Sequence, residues 1–400
     1  MDYGVSALAK RANLPNPDLL RWAREAADLT AEEMARHLRV HPDAVAAWEA
    51  GETGPTFRQL EKYAAKTQRS VAVFYLPVPP VEPPPPQDFR HLPGATPGVY
   101  SGELRLAVRK LRNALEDLSM IASLSGDQVA LSLPSVSLSM NPSAAGDSLR
   151  ASLGVTLEQQ LATRSYYAAM DLWSEALFVS GVLVQKYPFE VAEARGFSII
   201  QGHLAGIGIS TRDADTARIF SLLHEVAHIG LRMPGVSIPA EHSDPSVASE
   251  ATPPSSTVAV ERFCNAVAAE ILLPSTAQKV HEGLRGSRDD SDGRALAQTA
   301  QAFGVSRHVV ARRMLELDYI DEPTYWRTVK DLGTGRHRDP SGGSFYRNTL
   351  SRTGKPFASY VLEAADRNLI SSSTAADALV IKPTQLDRLR LELVGEGRGK

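Results

Sequence analysis

Two histidines four residues apart, the first followed directly by a glutamate, form the string His224-Glu225-Val226-Ala227-His228. On a helix, residues four apart lie on one face, one turn from each other. That spacing lets both imidazoles reach a single zinc ion. The intervening Glu225 then stands beside a metal-bound water and takes its proton. Apolar Leu222, Leu223, Val226, Ala227 and Ile229 fill the remaining positions, as expected of a helix inside a core.

Zinc that does chemistry needs a third protein ligand and one open position. About thirty residues on, Thr257–Pro274 reads as an apolar helix stopped by its proline. Glu261 and Asn265 are four apart on it and share a face. A carboxylate from a second helix is a hard ligand that completes a His-His-Glu set, with zinc as the cofactor. Two rival readings stay open. Glu261 could be a solvated helix charge, and His242, in the proline-punctuated stretch 230–256, could be the third ligand instead. Cys264, the single cysteine, also has two readings: an inert buried residue, or a thiolate that competes for metal or senses oxidants. One cysteine excludes an intrachain disulfide, which fits a reducing cytoplasm.

These two segments resemble the ImmA/IrrE family of zinc metallopeptidases, whose second motif commonly runs E-x-x-A-N-x-F-A-x-x-L-L-x-P. Glu261, Asn265, Ala268, Leu272 and Pro274 fit it, while Cys264 stands where alanine is usual and Val267 where phenylalanine is usual. The resemblance implies peptide-bond hydrolysis in a protein substrate, a transcriptional repressor cut at one site. An arginine commonly precedes the first motif in the family. Here it is Arg218, for which a structural salt bridge comes first and an oxyanion or substrate contact second.

The elements that must hold these residues follow from periodicity. Phe197–Ile200, Ala205–Ser210 and Gly181–Val184 read as short strands ahead of the histidine helix. Glu103–Leu124, Ser148–Thr163 and Tyr166–Ser180 read as helices, and Val129–Met140 as a strand or a loop. A small mixed sheet flanked by helices is the usual zincin frame. In the tail, Ala295–Leu317 and Thr374–Leu393 each show a helix-turn-helix pattern, read as structural support.

The N-terminal part is helical. Pro17–Ala26 is amphipathic, Thr30 and Glu33 form a capping box that opens Ala31–Leu38, and helices Pro42–Ala50 and Thr56–Lys66 follow. This segment resembles the Xre/Cro-type repressors, through its W-E-x-G and the leucine after its proline. In such domains the second helix of the motif lies in the major groove. That places His41, Asp43, Ala44 and Ala47 toward bases, and leaves Arg21, Arg24, Arg36, Arg39 and Arg58 to hold phosphates. None of the four groove residues is a usual bidentate base reader. Residues 1–80 hold ten basic and ten acidic side chains, whereas a strong DNA binder shows a local positive excess. DNA binding therefore stands beside a second reading, a module reused as a dimer or peptide-docking surface.

Seven prolines in residues 77–86 form an extended spacer. The DFR string at 88–90 and the GGSFY string at 342–346 also resemble segments of two-domain family members. The expected fold class is mainly α (α+β). It divides into a five-helix helix-turn-helix domain at 1–76, a proline-rich linker at 77–90, a zincin-like peptidase domain at 91–280, a helical segment at 281–330 and a helical extension at 331–400. No apolar run has the length to span a bilayer and no signal core opens the chain, so a soluble cytoplasmic protein is expected. The expected partners are DNA, a protein substrate and a second copy of the chain, with no membrane. The alternative function is a non-proteolytic transcriptional regulator that uses the zincin-like domain as a ligand or metal sensor.

Overall fold

Side chains placed at helix starts organise the N-terminal region. Asn16 caps α1 (Pro17–Ala26) by accepting from the Asp18 N–H. Thr30 and Glu33 form the expected capping box on α2 (Ala31–Leu38), and Thr56 and Gln59 form another on α4 (Phe57–Thr67). Each satisfies backbone donors that a helix start leaves open, worth about 1 kcal/mol per cap. Between them lies α3 (Pro42–Glu49), capped by His41, and a 3-10 turn at Val71–Tyr75 follows. The apolar faces of all five segments meet around Leu19, Met34, Val45, Trp48, Tyr63 and Phe74. One charge enters this core: Glu49 is buried, and Arg24 grips it with two 2.7 Å bonds while Tyr63 donates to it at 3.1 Å.

This computed structural model describes residues 14–81, 86–88, 100–163, 165–237, 255–288, 293–332 and 344–397. Internal contacts divide the chain into two units, Met1–Pro85 with Val99–Lys110, and Pro86–Gly98 with Leu111–Lys400. The linker prolines 83–85, Phe89 and Arg90 of the DFR string, His242 and the Gly342-Gly343 pair lie outside the described residues.

The larger unit is α+β with helices dominant. In chain order its elements are β1 (Gln87–Asp88), the part of α5 (Gly102–Ser125) from Leu111 on, α6 (Pro142–Leu153), α7 (Leu157–Ala162) and α8 (Tyr166–Val179), then β2 (Val182–Tyr187), β3 (Gly196–Gln201) and β4 (Leu204–Ser210). There follow α9 (Asp215–Gly230), β5 (Gly235–Ser237), α10 (Ser255–Leu272), α11 (Gln278–Arg288), α12 (Arg294–Phe303), α13 (Arg307–Glu316) and α14 (Glu322–Leu332). The last helices are α15 (Phe345–Thr353), α16 (Lys355–Asp366), α17 (Ser372–Ala378) and α18 (Leu386–Gly397). The five strands make one sheet in the order β1-β5-β3-β4-β2. β2 runs parallel to β4, and β3 runs antiparallel to β4 and to β5. The β3–β4 hairpin turns on Gly202, whose φ of +60° suits a two-residue loop. Gly208 of β4 is needed for a different reason: a Cβ there would fall 2.3 Å from the Phe197 ring.

Two expectations change. Ser148–Thr163 is not one helix, because Gly154 takes a φ of +65° and separates α6 from α7. Val129–Met140, left open between a strand and a loop, is a loop. β1 and β5 are additions, since strands of two and three residues are too short to show alternation in a sequence.

α10 packs against both α6 and α9. Its C-terminal end is tied down from several directions. Arg150 of α6 donates to the Ile271 carbonyl, Gln160 of α7 to Leu272 at 3.1 Å, and Arg313 of α13 to Leu273 at 2.9 Å. Arg313 also pairs with the fully buried Glu270. Among the described residues, no helix is long and apolar enough to cross a membrane.

Candidate metal centre

Every residue of α9 from Ala217 to Gly230 is buried, so this helix is covered on all its faces. β3 and β4 lie against it on one side and α10 on another. His224, Glu225 and His228 are therefore cut off from solvent, each 0% exposed. The four-residue spacing puts the two imidazoles together, with Nε2 atoms 3.1 Å apart. Glu261 reaches them from α10, its Oε1 3.1 Å from His228 Nε2 and its Oε2 3.3 Å from His224 Nε2. Among the described residues this is the one His/Cys/Asp/Glu group whose donor atoms converge closely enough to hold a metal ion.

The triangle fits a cation by its size and by its polarity. Atoms 2.0–2.1 Å from a tetrahedral zinc stand about 3.3 Å from each other, close to the separations found here. The Met233 carbonyl, which can only accept, lies 3.1 Å from His228 Nδ1. That nitrogen therefore carries the proton, and Nε2 turns its lone pair toward the other two donors. Three lone-pair donors facing one point repel each other unless a proton or a metal sits between them. Burial alone would raise the Glu261 carboxyl, but positive charge on the His224 and His228 imidazoles facing it holds it down, to about 2, the same demand for a cation at this point. Among the described residues, Glu261 Oε2 finds no hydrogen-bond donor despite its burial, and a metal would supply that partner.

Glu225 points into a cradle made by β3. The Ser198 hydroxyl donates to Glu225 Oε2 at 2.7 Å and accepts from the Gly235 N–H at 3.4 Å. On the same face of the strand, a Cβ on Gly196 would come within 3.1 Å of Glu225 Oε1. Ser198, Gly196, Gly235 and Met233 are not legible in the sequence. They reach the centre from two strands and a turn, so no spacing along the chain links them to the histidines.

The flanking candidates fall into place separately. Asn265 is 5% exposed, and its Oδ1 makes no hydrogen bond among the described residues. Cys264 is fully buried, and burial pushes its thiol up, so it is held protonated despite the pull of His228. Its sulfur is not part of the converging donor set. Arg218 is engaged at the start of its own helix, donating to Asp215 at 2.9 Å and to the Thr211 carbonyl, which is the structural salt bridge expected first.

In the helical unit, His41 and Asp43 are exposed and Ala44 and Ala47 half-buried on α3. Arg36, Arg39 and Arg58 are exposed. Arg24 is different from what the sequence suggests for a phosphate contact. Its guanidinium is spent on Glu49 and on the Leu29 carbonyl, and its side chain is 13% exposed. Arg21 gives one donor to the Glu49 carbonyl at 2.7 Å but keeps 48% of its side chain in solvent.

Comparison with known families places both regions. Residues 179–315, which contain the whole donor set, match a peptidase family, M78, described as an IrrE N-terminal-like domain. Residues 20–74 match a helix-turn-helix family. The chain thus joins an N-terminal helix-turn-helix, a module that supports DNA binding, to a peptidase-family domain. No curated protein matches it.

Proposed function

We propose that this protein is a DNA-binding regulatory zinc metallopeptidase of the cytoplasm that hydrolyses a peptide bond in a protein, a transcriptional repressor. The observation that carries the reading is the buried triangle of His224, His228 and Glu261, with edges of 3.1 to 3.3 Å, inside the segment that matches a peptidase family. We assign 91–280 to the peptidase domain, and 281–330 and 331–400 to helical support.

His224, His228 and Glu261 would hold the metal, and zinc suits two imidazoles and one carboxylate. When bound, it supplies Lewis-acid polarisation of a carbonyl and lowers the pKa of water toward neutrality. Glu225 takes the proton of the attacking water and returns it to the leaving amine. Asn265, buried and with its Oδ1 making no hydrogen bond among the described residues, would be the residue that contacts the substrate. On the helical unit, Arg36, Arg39 and Arg58 hold phosphates, and His41, Asp43, Ala44 and Ala47 form the groove-facing surface.

Metal content and cleavage separate this reading from its rival. The wild-type chain should bind about one zinc equivalent and His228→Ala almost none. Glu225→Gln should keep the zinc and lose cleavage of the repressor. The complete burial of His224, Glu225 and His228 favours one second reading, a closed metal sensor that cuts nothing. A regulatory output that survives Glu225→Gln unchanged would establish that sensor and end the proteolytic reading.

A further inference from the structure

The geometry assigns Ser198 and Gly196 of β3 as the residues that position the Glu225 carboxylate: one pins an oxygen and the other leaves room for its twin. This rests on Glu225 being the base of the proposed peptidase, and it names the device that aims it. Glu225 lies on α9. The terminal torsion of a glutamate is broad, so a buried carboxylate needs external partners to hold one orientation. Ser198 is 0% exposed and 2.7 Å from Oε2. A carboxylate only accepts, so the hydroxyl proton points at Glu225 and the serine oxygen is left to accept from Gly235. The chain Gly235 N–H to Ser198 O–H to Glu225 runs in one direction and each bond polarises the next. The same chain ties the base to β5, which begins just past the Met233 carbonyl that orients His228.

Gly196 works by absence. It is two residues before Ser198 and on the same face of the strand. An added methyl would stand 3.1 Å from Glu225 Oε1 and 3.2 Å from its Cγ, with the Ile209 side chain 3.2 Å away on the other side. The glutamate would have to shift by a few tenths of an ångström. Glycine at 196 therefore serves clearance rather than a special backbone angle, because its φ is not in the left-handed range.

The test uses the full chain loaded with cobalt in place of zinc. It is titrated with acetohydroxamate and followed by visible absorption, with cleavage of β-casein measured on the zinc form. A hydroxamate needs a correctly aimed carboxylate to take its proton, so its affinity reports the position of Glu225 even where no peptide is cut. Ser198→Ala should keep one metal per chain and bind acetohydroxamate about tenfold more weakly, the worth of one hydrogen bond to a charged group. It should also lower kcat on casein about 100-fold with KM unchanged, as misplacement of a reacting group does. Ser198→Thr, which keeps the hydroxyl, should restore most of both losses. Gly196→Ala should reproduce the alanine phenotype at 198. Wild-type hydroxamate affinity in Ser198→Ala would overturn the assignment. So would loss of metal or of the fold in Ser198→Ala that Ser198→Thr fails to rescue. If the wild-type chain binds acetohydroxamate and cuts no casein, the general peptidase reading suffers, while the comparison of affinities still decides the role of Ser198.

Discussion

Lys186 of β2 keeps a buried ammonium with modest company: the Ser351 hydroxyl at 3.3 Å and the Tyr166 ring at 5.6 Å. Burial pushes its pKa down from the ordinary 10.5 to about 8. The folded state thus binds this proton more weakly than the unfolded chain. Below pH 8 both states carry the charge and the folded one bears the full desolvation cost. Between 8 and 10.5 the cost fades as the folded lysine gives up its proton, so stability rises with pH through that window. Lys186→Met should therefore stabilise the protein by roughly 1 to 3 kcal/mol at pH 7 and by almost nothing above pH 10.5. Denaturant melts at the two pH values check this. At the same scale, the two histidines are legible in the sequence because helix periodicity converts their spacing into a shared face, and Glu225 and Glu261 because each belongs to a motif. Ser198 is hidden there because its partner sits 27 residues away on another element, with no pattern between them. The buried pairing of Arg24 with Glu49, 25 residues apart, is hidden for the same reason.

Elements tell a similar story. Caps at Thr30 and Thr56 mark helix starts in the sequence itself, and the structure uses both. The break at Gly154 is masked because the apolar spacing runs on through it, although a glycine in the left-handed region ends a helix. The clearest energetic prediction at this level concerns α1 and α3. Glu49 and Arg24 form a buried pair between them, with side chains 6% and 13% exposed. Removing Glu49 takes two hydrogen bonds from a largely buried guanidinium and leaves it the Leu29 carbonyl. Glu49→Ala should lower the stability of the helical unit by about 3 kcal/mol, seen as an early transition in urea followed by the fluorescence of Trp22 and Trp48. Unchanged melting would mean that water reaches Arg24 far more easily than its burial implies.

Across the whole molecule, a formal charge of -3 gives no general attraction for a polyanion, so DNA affinity must come from a few placed arginines. Besides Arg21, which also donates to the Glu49 carbonyl, the exposed candidates are Arg36, Arg39 and Arg58. Replacing all three with alanine should lower affinity about equally for any duplex sequence. The slope of log affinity against log salt should fall by about 0.9 for each phosphate that the variant no longer neutralises. A slope that stays the same would show that this helix-turn-helix grips something other than a phosphate backbone.

Where the protein can be cut is already written into one end of α10. Three backbone carbonyls there depend on donors that come from both sides of it in the chain: Arg150 and Gln160 upstream, Arg313 downstream. A piece trimmed to 179–315 would carry Arg313 yet strand two of those carbonyls. Excision of a self-sufficient peptidase-family core must begin at Asn141 or earlier and run past Arg313.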